Sequence, residues 1–292
     1  MVTLYHVKKF LMNRIRDFRI LAFMENVYYL TILPFGWMAY CYSRLVNQPY
    51  FGVWMASAQG NPFRYRHMRD TVFSYVRELA GRGEFGGLVT VMEIGSYAGG
   101  STIQWATALH ESEAPDYRVY SVDPWDAYID ESQNLRVAYR IMNRNLANGN
   151  VLRLFVQNLT AAGVANNCRQ FRGRSEEILS MFKPGQFDII YIDGDHASEA
   201  VQQDLNNAML LLKAGGILCG DDLELQMDML DKSFVYENAK SDFIMDPRSN
   251  VLFHPGVVIG VYEFFGRRVS NYNGFWLQKW DGREFHDVEL PN

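Results

Sequence analysis

The sequence predicts a doubly wound α/β fold: a mostly parallel, seven-stranded sheet with an antiparallel strand at its C-terminal end, preceded by a mainly helical appendage. Three observations carry this. From Leu88 onward, short apolar runs alternate with helical segments, the order produced by parallel strands joined through crossover helices. The stretch Gly81-Arg-Gly-Glu-Phe-Gly-Gly87 punctuates the chain just before that alternation begins. The last apolar runs are separated by the turn signal Asn271-Tyr-Asn-Gly274, which favours antiparallel pairing. With 292 residues, 48% of them hydrophobic, the chain is long and apolar enough to bury a substantial core.

Residues 1–85 are read as the appendage and 86–292 as one continuous domain. Leu4, Val7, Leu11, Ile15, Phe18 and Ala22 recur at helical spacing, with basic residues filling the opposite side. Asn26–Ser43 is an uncharged run preceded by Lys8, Lys9, Arg14, Arg16 and Arg19, which superficially suggests a secretion signal or an anchor. Asp17, Glu25, Pro34 and Gly36 interrupt that pattern, and the run falls short of the ~20 apolar residues a spanning helix needs. A buried or subunit-packing element in a homo-oligomer is expected, with peripheral membrane contact as the alternative. A second amphipathic helix is predicted over Asn61–Leu79. Its Arg64, Arg66, His67 and Arg69 form either a solvated face or a cationic cluster for an anionic acceptor.

In the main domain, Leu88–Ile94, Arg118–Val122, Cys168–Phe171, Phe187–Ile192 and Gly216–Cys219 read as strands. Helices are expected near 100–110, 131–148, 175–182 and 198–212, with a further helical stretch at about 225–240. Val257–Phe265 and Phe275–Trp280 are the last predicted strands, paired antiparallel. The 28 Lys+Arg against 33 Asp+Glu give a net charge of −5, which supplies no general basic field for nucleic acid. Cys41, Cys168 and Cys219 have no disulfide or metal spacing, which fits a reduced, cytoplasmic setting.

The chemistry-bearing residues fall at strand ends. Glu93-Ile-Gly95-Ser96-Tyr97-Ala98-Gly99-Gly100-Ser101 sits where the first strand hands over to a helix, the position used by nucleotide-type ligands in open α/β sheets. Its E-x-G-x-x-x-G spacing differs from the dinucleotide G-x-G-x-x-G and makes a wider turn with an acid at the strand end. The second strand ends in Asp123, placed to accept a ribose diol. The third is followed by Arg174-Ser175, where Ser175 reads as a helix N-cap whose backbone faces the ligand. Pro124-Trp125-Asp126-Ala127-Tyr128 is either an aromatic lid or ordinary core.

Asp193 ends the fourth strand, in Tyr191-Ile-Asp193-Gly-Asp195-His196, and Asp221-Asp222 end the fifth. Neighbouring strands would bring these three carboxylates together, and a hard cation such as Mg²⁺ would relieve their repulsion. Asp195 is a substitute ligand, and Asp222 has a capping role as its alternative. His196, with an ordinary pKa near 6.5, is placed to take a proton beside that cation. The other histidines, His254 among them, are assigned structural roles.

These motifs resemble, over about residues 88–282, the Rossmann-like class I S-adenosylmethionine (AdoMet)-dependent methyltransferases. More narrowly they look like the metal-dependent macrolide sugar O-methyltransferases and the related cephalosporin-hydroxylase-like group. The resemblance implies that Glu93, Gly95, Ser96, Tyr97 and Gly99 shape the amino-acid end of AdoMet and that Ser101 holds its carboxylate. Asp123 would hold the ribose, Arg174-Ser175 would lie beside the adenine, and Asp193 would border the cofactor. It also implies Asp193, Asp221 and Asp222 as Mg²⁺ ligands, His196 as the base with Asp193 beside it, and a sugar or small natural-product hydroxyl as acceptor. The alternatives are a same-fold enzyme with different chemistry and a non-catalytic AdoMet-binding module.

Overall fold

The computed structural model describes residues 18–55, 62–84, 86–128 and 137–291. The helical repeat from Leu4 to Ile15, its basic residues and the start of the predicted 131–148 helix lie outside them. In chain order the elements are α1 (Phe18–Leu45), α2 (Pro62–Gly81), β1 (Leu88–Ile94), α3 (Gly100–Glu111), β2 (Asp116–Asp123), α4 (Val137–Ala147) and α5 (Asn150–Ala161). They continue with β3 (Cys168–Arg172), α6 (Ser175–Ile178), β4 (Phe187–Ile192), α7 (Ser198–Leu211), β5 (Leu212–Leu223) and α8 (Lys232–Glu237). The remainder are β6 (Ile244–Met245), β7 (Leu252–Phe253), α9 (Pro255–Phe265), β8 (Ser270–Tyr272), β9 (Gly274–Trp280) and β10 (Phe285–Asp287).

The chain divides into two compact units that do not follow the expected break at residue 85. One contains the residues before 60 and Trp125–Ala161; the other contains Gly60–Pro124 and Ala162–Asn292. In the first, the Tyr50 N–H donates to Asn158 Oδ1 at 2.8 Å, and Trp125 packs against Phe155 with ring centroids 5.0 Å apart. Trp125 is fully buried, so it belongs to the core, whereas Tyr128 is exposed. Helix α1 exposes Phe23, Leu30, Phe35, Trp37 and Tyr42. The helix runs unbroken through Pro34, and among the described residues no helix is long and apolar enough to cross a membrane.

The second unit holds the sheet, ordered β10-β9-β5-β4-β1-β2-β3 with β8 also on β9. Strands β3, β2, β1, β4 and β5 run parallel, and β9 lies antiparallel to β5. Every residue of β4 is buried, as is β1 after Leu88, because helices cover both faces of a parallel sheet. Helix α2 also belongs here, anchored by the Tyr75 hydroxyl donating to buried Asp188 at 2.6 Å.

One predicted strand is overturned. Val257–Phe265 lies within helix α9, which starts at Pro255 after the His254 cap. Its β-branched run suggests a strand, but Gly256 and Gly260, four apart, mark a helix face in close contact. A Cβ on Gly260 would meet the Val201 side chain of α7 at 2.6 Å. The turn at Asn273-Gly274 is real, with φ of 56° and 100°, but it joins β9 to the short β8.

Candidate active site

The glycine turn connects β1 to α3 through Gly95, Tyr97 and Gly99, all with left-handed φ. Gly95 N–H donates to the Val122 carbonyl (2.9 Å) and Gly99 N–H to that of Ser96 (2.8 Å). Asp123, at the end of β2, accepts the Tyr97 N–H on Oδ2 at 2.8 Å, so the expected ribose acid also fixes the turn. Glu93 is completely buried beneath α3, accepting the hydroxyls of Thr102 and Ser121. Burial pushes its carboxyl up to about 7, against the lowering effect of hydrogen bonds from Ser101, Thr102 and Ser96. These residues gather at the carboxyl edge of the sheet, where α/β folds place their ligands. Arg174 and Ser175 follow β3 at the same edge, where the Gly173 N–H donates to the Asp123 carbonyl at 3.1 Å. Arg174 is exposed, nearest Glu176, and it occupies the N-cap of α6 expected for Ser175, whose hydroxyl serves Asp204 instead.

Asp193 lies against the glycine turn: a Cβ on Gly95 would stand 1.9 Å from the Asp193 carbonyl oxygen. The next strand supplies the second acid through a bulge. Between Gly220 and Leu223 the register of β5 on β9 shifts, and Asp222 takes φ 61°. A bulge re-aims side chains, and a left-handed backbone is tolerable for Asp. Asp193, His196 and Asp222 thereby present donor atoms all within 4.8 Å of one another.

Asp221 departs from the expected ligand set. It is buried and paired with Arg64, which reaches in from α2. The same guanidinium stands 3.7 Å from Asp193 Oδ2 and 3.6 Å from Asp222 Oδ1. The expected cationic cluster is thus split, with Arg66 beside Asp70, Arg69 on Glu111 and His67 packed on Tyr272 and Phe275.

The environment separates the carboxylates. Burial raises Asp193 to about 6, although Arg64 opposes it. Asp222 is buried as well, but its hydrogen bond with His196 holds it far below the usual carboxylate range. His196 bridges two acids, with Nε2 3.0 Å from Asp222 Oδ2 and Nδ1 2.7 Å from Asp242 Oδ1. Burial alone would lower its pKa; the two carboxylates outweigh burial and raise it well above 6.5. Next to it, His254 has Nδ1 3.3 Å from Glu224, and the two imidazole centroids are 4.4 Å apart. Asp242, Glu224 and His254 carry no sequence signal of this role beyond the His-Pro-Gly start of α9.

Replacing Arg64 with Ala should cost about 3 kcal/mol of unfolding free energy at neutral pH, because it leaves buried carboxylates without their counter-charge. Asp193 titrates near 6 in the folded chain, against ~3.9 for an ordinary aspartate, so the fold binds more protons in that window. Stability therefore falls as pH rises through it, and more steeply without Arg64. Urea titrations at neutral and mildly acidic pH measure this; an equal loss at both would contradict the assignment.

Residues 92–223, which contain the glycine turn, Asp123, Asp193, His196, Asp221 and Asp222, match the profile of a family described as a methyltransferase domain. That stretch resembles a methyltransferase domain. The chain is also similar to the O-methyltransferase TomG of Streptomyces achromogenes, involved in tomaymycin synthesis. That likeness has 20% identity over 70% of this chain and 77% of that one, with a TM-score of 0.41. An O-methyltransferase from Bacillus cereus in complex with SAH is similar at 18% identity, over 86% of this chain and 90% of that one, with a TM-score of 0.45. No curated protein matches the sequence.

Proposed function

We propose that this protein transfers the AdoMet methyl group to a hydroxyl oxygen of a small molecule, a sugar or another natural product, with Mg²⁺ or a similar divalent cation in the site. The observation that supports this is the convergence of Asp193, Asp222 and His196 against the glycine turn. The donors fit a hard cation through the Asp193 and Asp222 oxygens, with waters completing the shell. Asp221 stays with Arg64. When bound, the cation would favour ionisation of an acceptor hydroxyl and orient it.

The protein's own groups do the rest. The glycine turn and the N-terminus of α3 receive the amino-acid end of AdoMet, and Asp123 the ribose. His196, flanked by Asp242 at Nδ1 and Asp222 at Nε2, is the group beside the proposed cation that would take the acceptor proton. As that proton leaves, the acceptor oxygen forms a bond to the methyl carbon. The sulfur–methyl bond breaks in line, its electron pair returning to sulfur, and the sulfonium becomes a neutral thioether. Stripping with a chelator should abolish methyl transfer, and added Mg²⁺ should restore it. Full turnover in excess chelator would rule out the cation.

A further inference from the structure

We propose that His196, His254 and Asp242 form a separate cation site, for a first-row transition metal of the zinc class. The three offer donor atoms within 4.8 Å of one another and come from three segments: the loop after β4, the stretch between α8 and β6, and the residue before α9. The inference goes beyond the methyl-transfer reading and does not depend on it.

The decisive feature is what holds each ring from behind. His196 Nε2 is 3.0 Å from Asp222, and His254 Nδ1 is 3.3 Å from Glu224. Metal-bound imidazoles characteristically have their far nitrogen fixed by a carboxylate in this way, which sets the tautomer and raises ligand basicity. The arrangement leaves His196 Nδ1 and His254 Nε2 as the coordinating atoms, with Asp242 as the third ligand. A 2.7 Å hydrogen bond already brings His196 Nδ1 and Asp242, two of the three donors, together. A metal ion takes the place of the proton between them.

The donor set decides the metal. Two imidazoles and one carboxylate suit Zn²⁺, Fe²⁺, Co²⁺ or Ni²⁺, whereas Mg²⁺ prefers oxygen ligands and water. Three protein ligands also leave a position open for water. The backbone is shaped for the contact: a Cβ on Gly256 would lie 2.1 Å from the His196 carbonyl oxygen and 2.7 Å from the Ser198 nitrogen. Only glycine lets the start of α9, carrying His254, lie against the His196 loop.

The test uses the chelator-stripped full chain, titrated with Co²⁺ in excess Mg²⁺ without AdoMet or acceptor. A visible ligand-field band saturating at one equivalent is expected. H254N and D242N should each lose it while keeping a native far-ultraviolet circular dichroism spectrum. E224Q, which alters only the support behind His254, should weaken binding by ~10–100-fold. D193N, at the proposed Mg²⁺ ligand, should keep the band, so that failure of the methyl-transfer reading and failure of this one are distinguishable. Absence of the band, its removal by Mg²⁺, its loss in D193N or its survival in both H254N and D242N would overturn the site.

Discussion

His196→Gln lowers turnover by at least ~100-fold and leaves AdoMet affinity nearly unchanged; this is the expected result if His196 takes the acceptor proton. The glycine turn is built from β1, β2 and α3, and the Gly95–Val122, Gly99–Ser96 and Tyr97–Asp123 hydrogen bonds that hold it do not involve His196. Losing the base should therefore appear in kcat, with isothermal titration of S-adenosylhomocysteine as the control for the pocket. The pH profile makes the assignment sharper. Carboxylates on both sides hold the folded His196 above its ordinary pKa, so the base form appears only as pH rises past 6.5. Turnover should climb through that range. Asp242→Asn removes one of the two anions, so the limb should move toward lower pH. A profile unmoved by D242N, or near-normal turnover in H196Q, would take His196 out of the reaction.

The features legible in the sequence are those whose cause is local. Strands β1 and β4 announce themselves as continuous apolar runs because both faces are covered, and each is followed by a candidate site residue at the sheet's carboxyl edge. Adjacency of β4 and β5 then brings Asp193 and Asp222 together, as the motif order implied. Which of the two acids after Gly220 turns inward depends on the β5 bulge, a property of pairing with β9. Arg64 is harder still, since nothing local in Arg-Tyr-Arg-His distinguishes the arginine that reaches Asp221 from those that face solvent.

Two misreadings had signals that were present. Helix α5 is absent from the expected elements, yet its buried Val151, Leu154, Phe155, Asn158 and Leu159 recur at helical spacing. In α9 the β-branched composition competes with the four-residue glycine spacing, and packing on α7 decides for the helix. The unit boundaries at Pro124 and Ala161 coincide with no shift in composition, whereas the more conspicuous glycine-rich stretch at 81–87 lies inside one unit.

The turn and the acid cluster meet at one atom pair, and Gly95→Ala should therefore damage both folding and cofactor binding. Gly95 has φ 88°, where a Cβ alone costs ~1–2 kcal/mol. The added carbon would also lie 1.9 Å from the Asp193 oxygen, 2.5 Å from its carbonyl carbon and 2.9 Å from Gly194 Cα. All three are backbone atoms, so no side chain can rotate away. Relief requires parting the ends of β1 and β4, which breaks the Asp193 N–H to Ile94 carbonyl bond of 2.9 Å and displaces the carboxylate. A total loss of ~3 kcal/mol or more is expected, with binding of S-adenosylhomocysteine abolished. Gly185→Ala is the matched control: it has φ 65° but nothing within 4 Å of an added Cβ, so it carries the strain without the collision. Urea unfolding of the two variants separates these terms. Equal losses would show that the collision is relieved at no cost, and that Asp193 is not held in place by the turn.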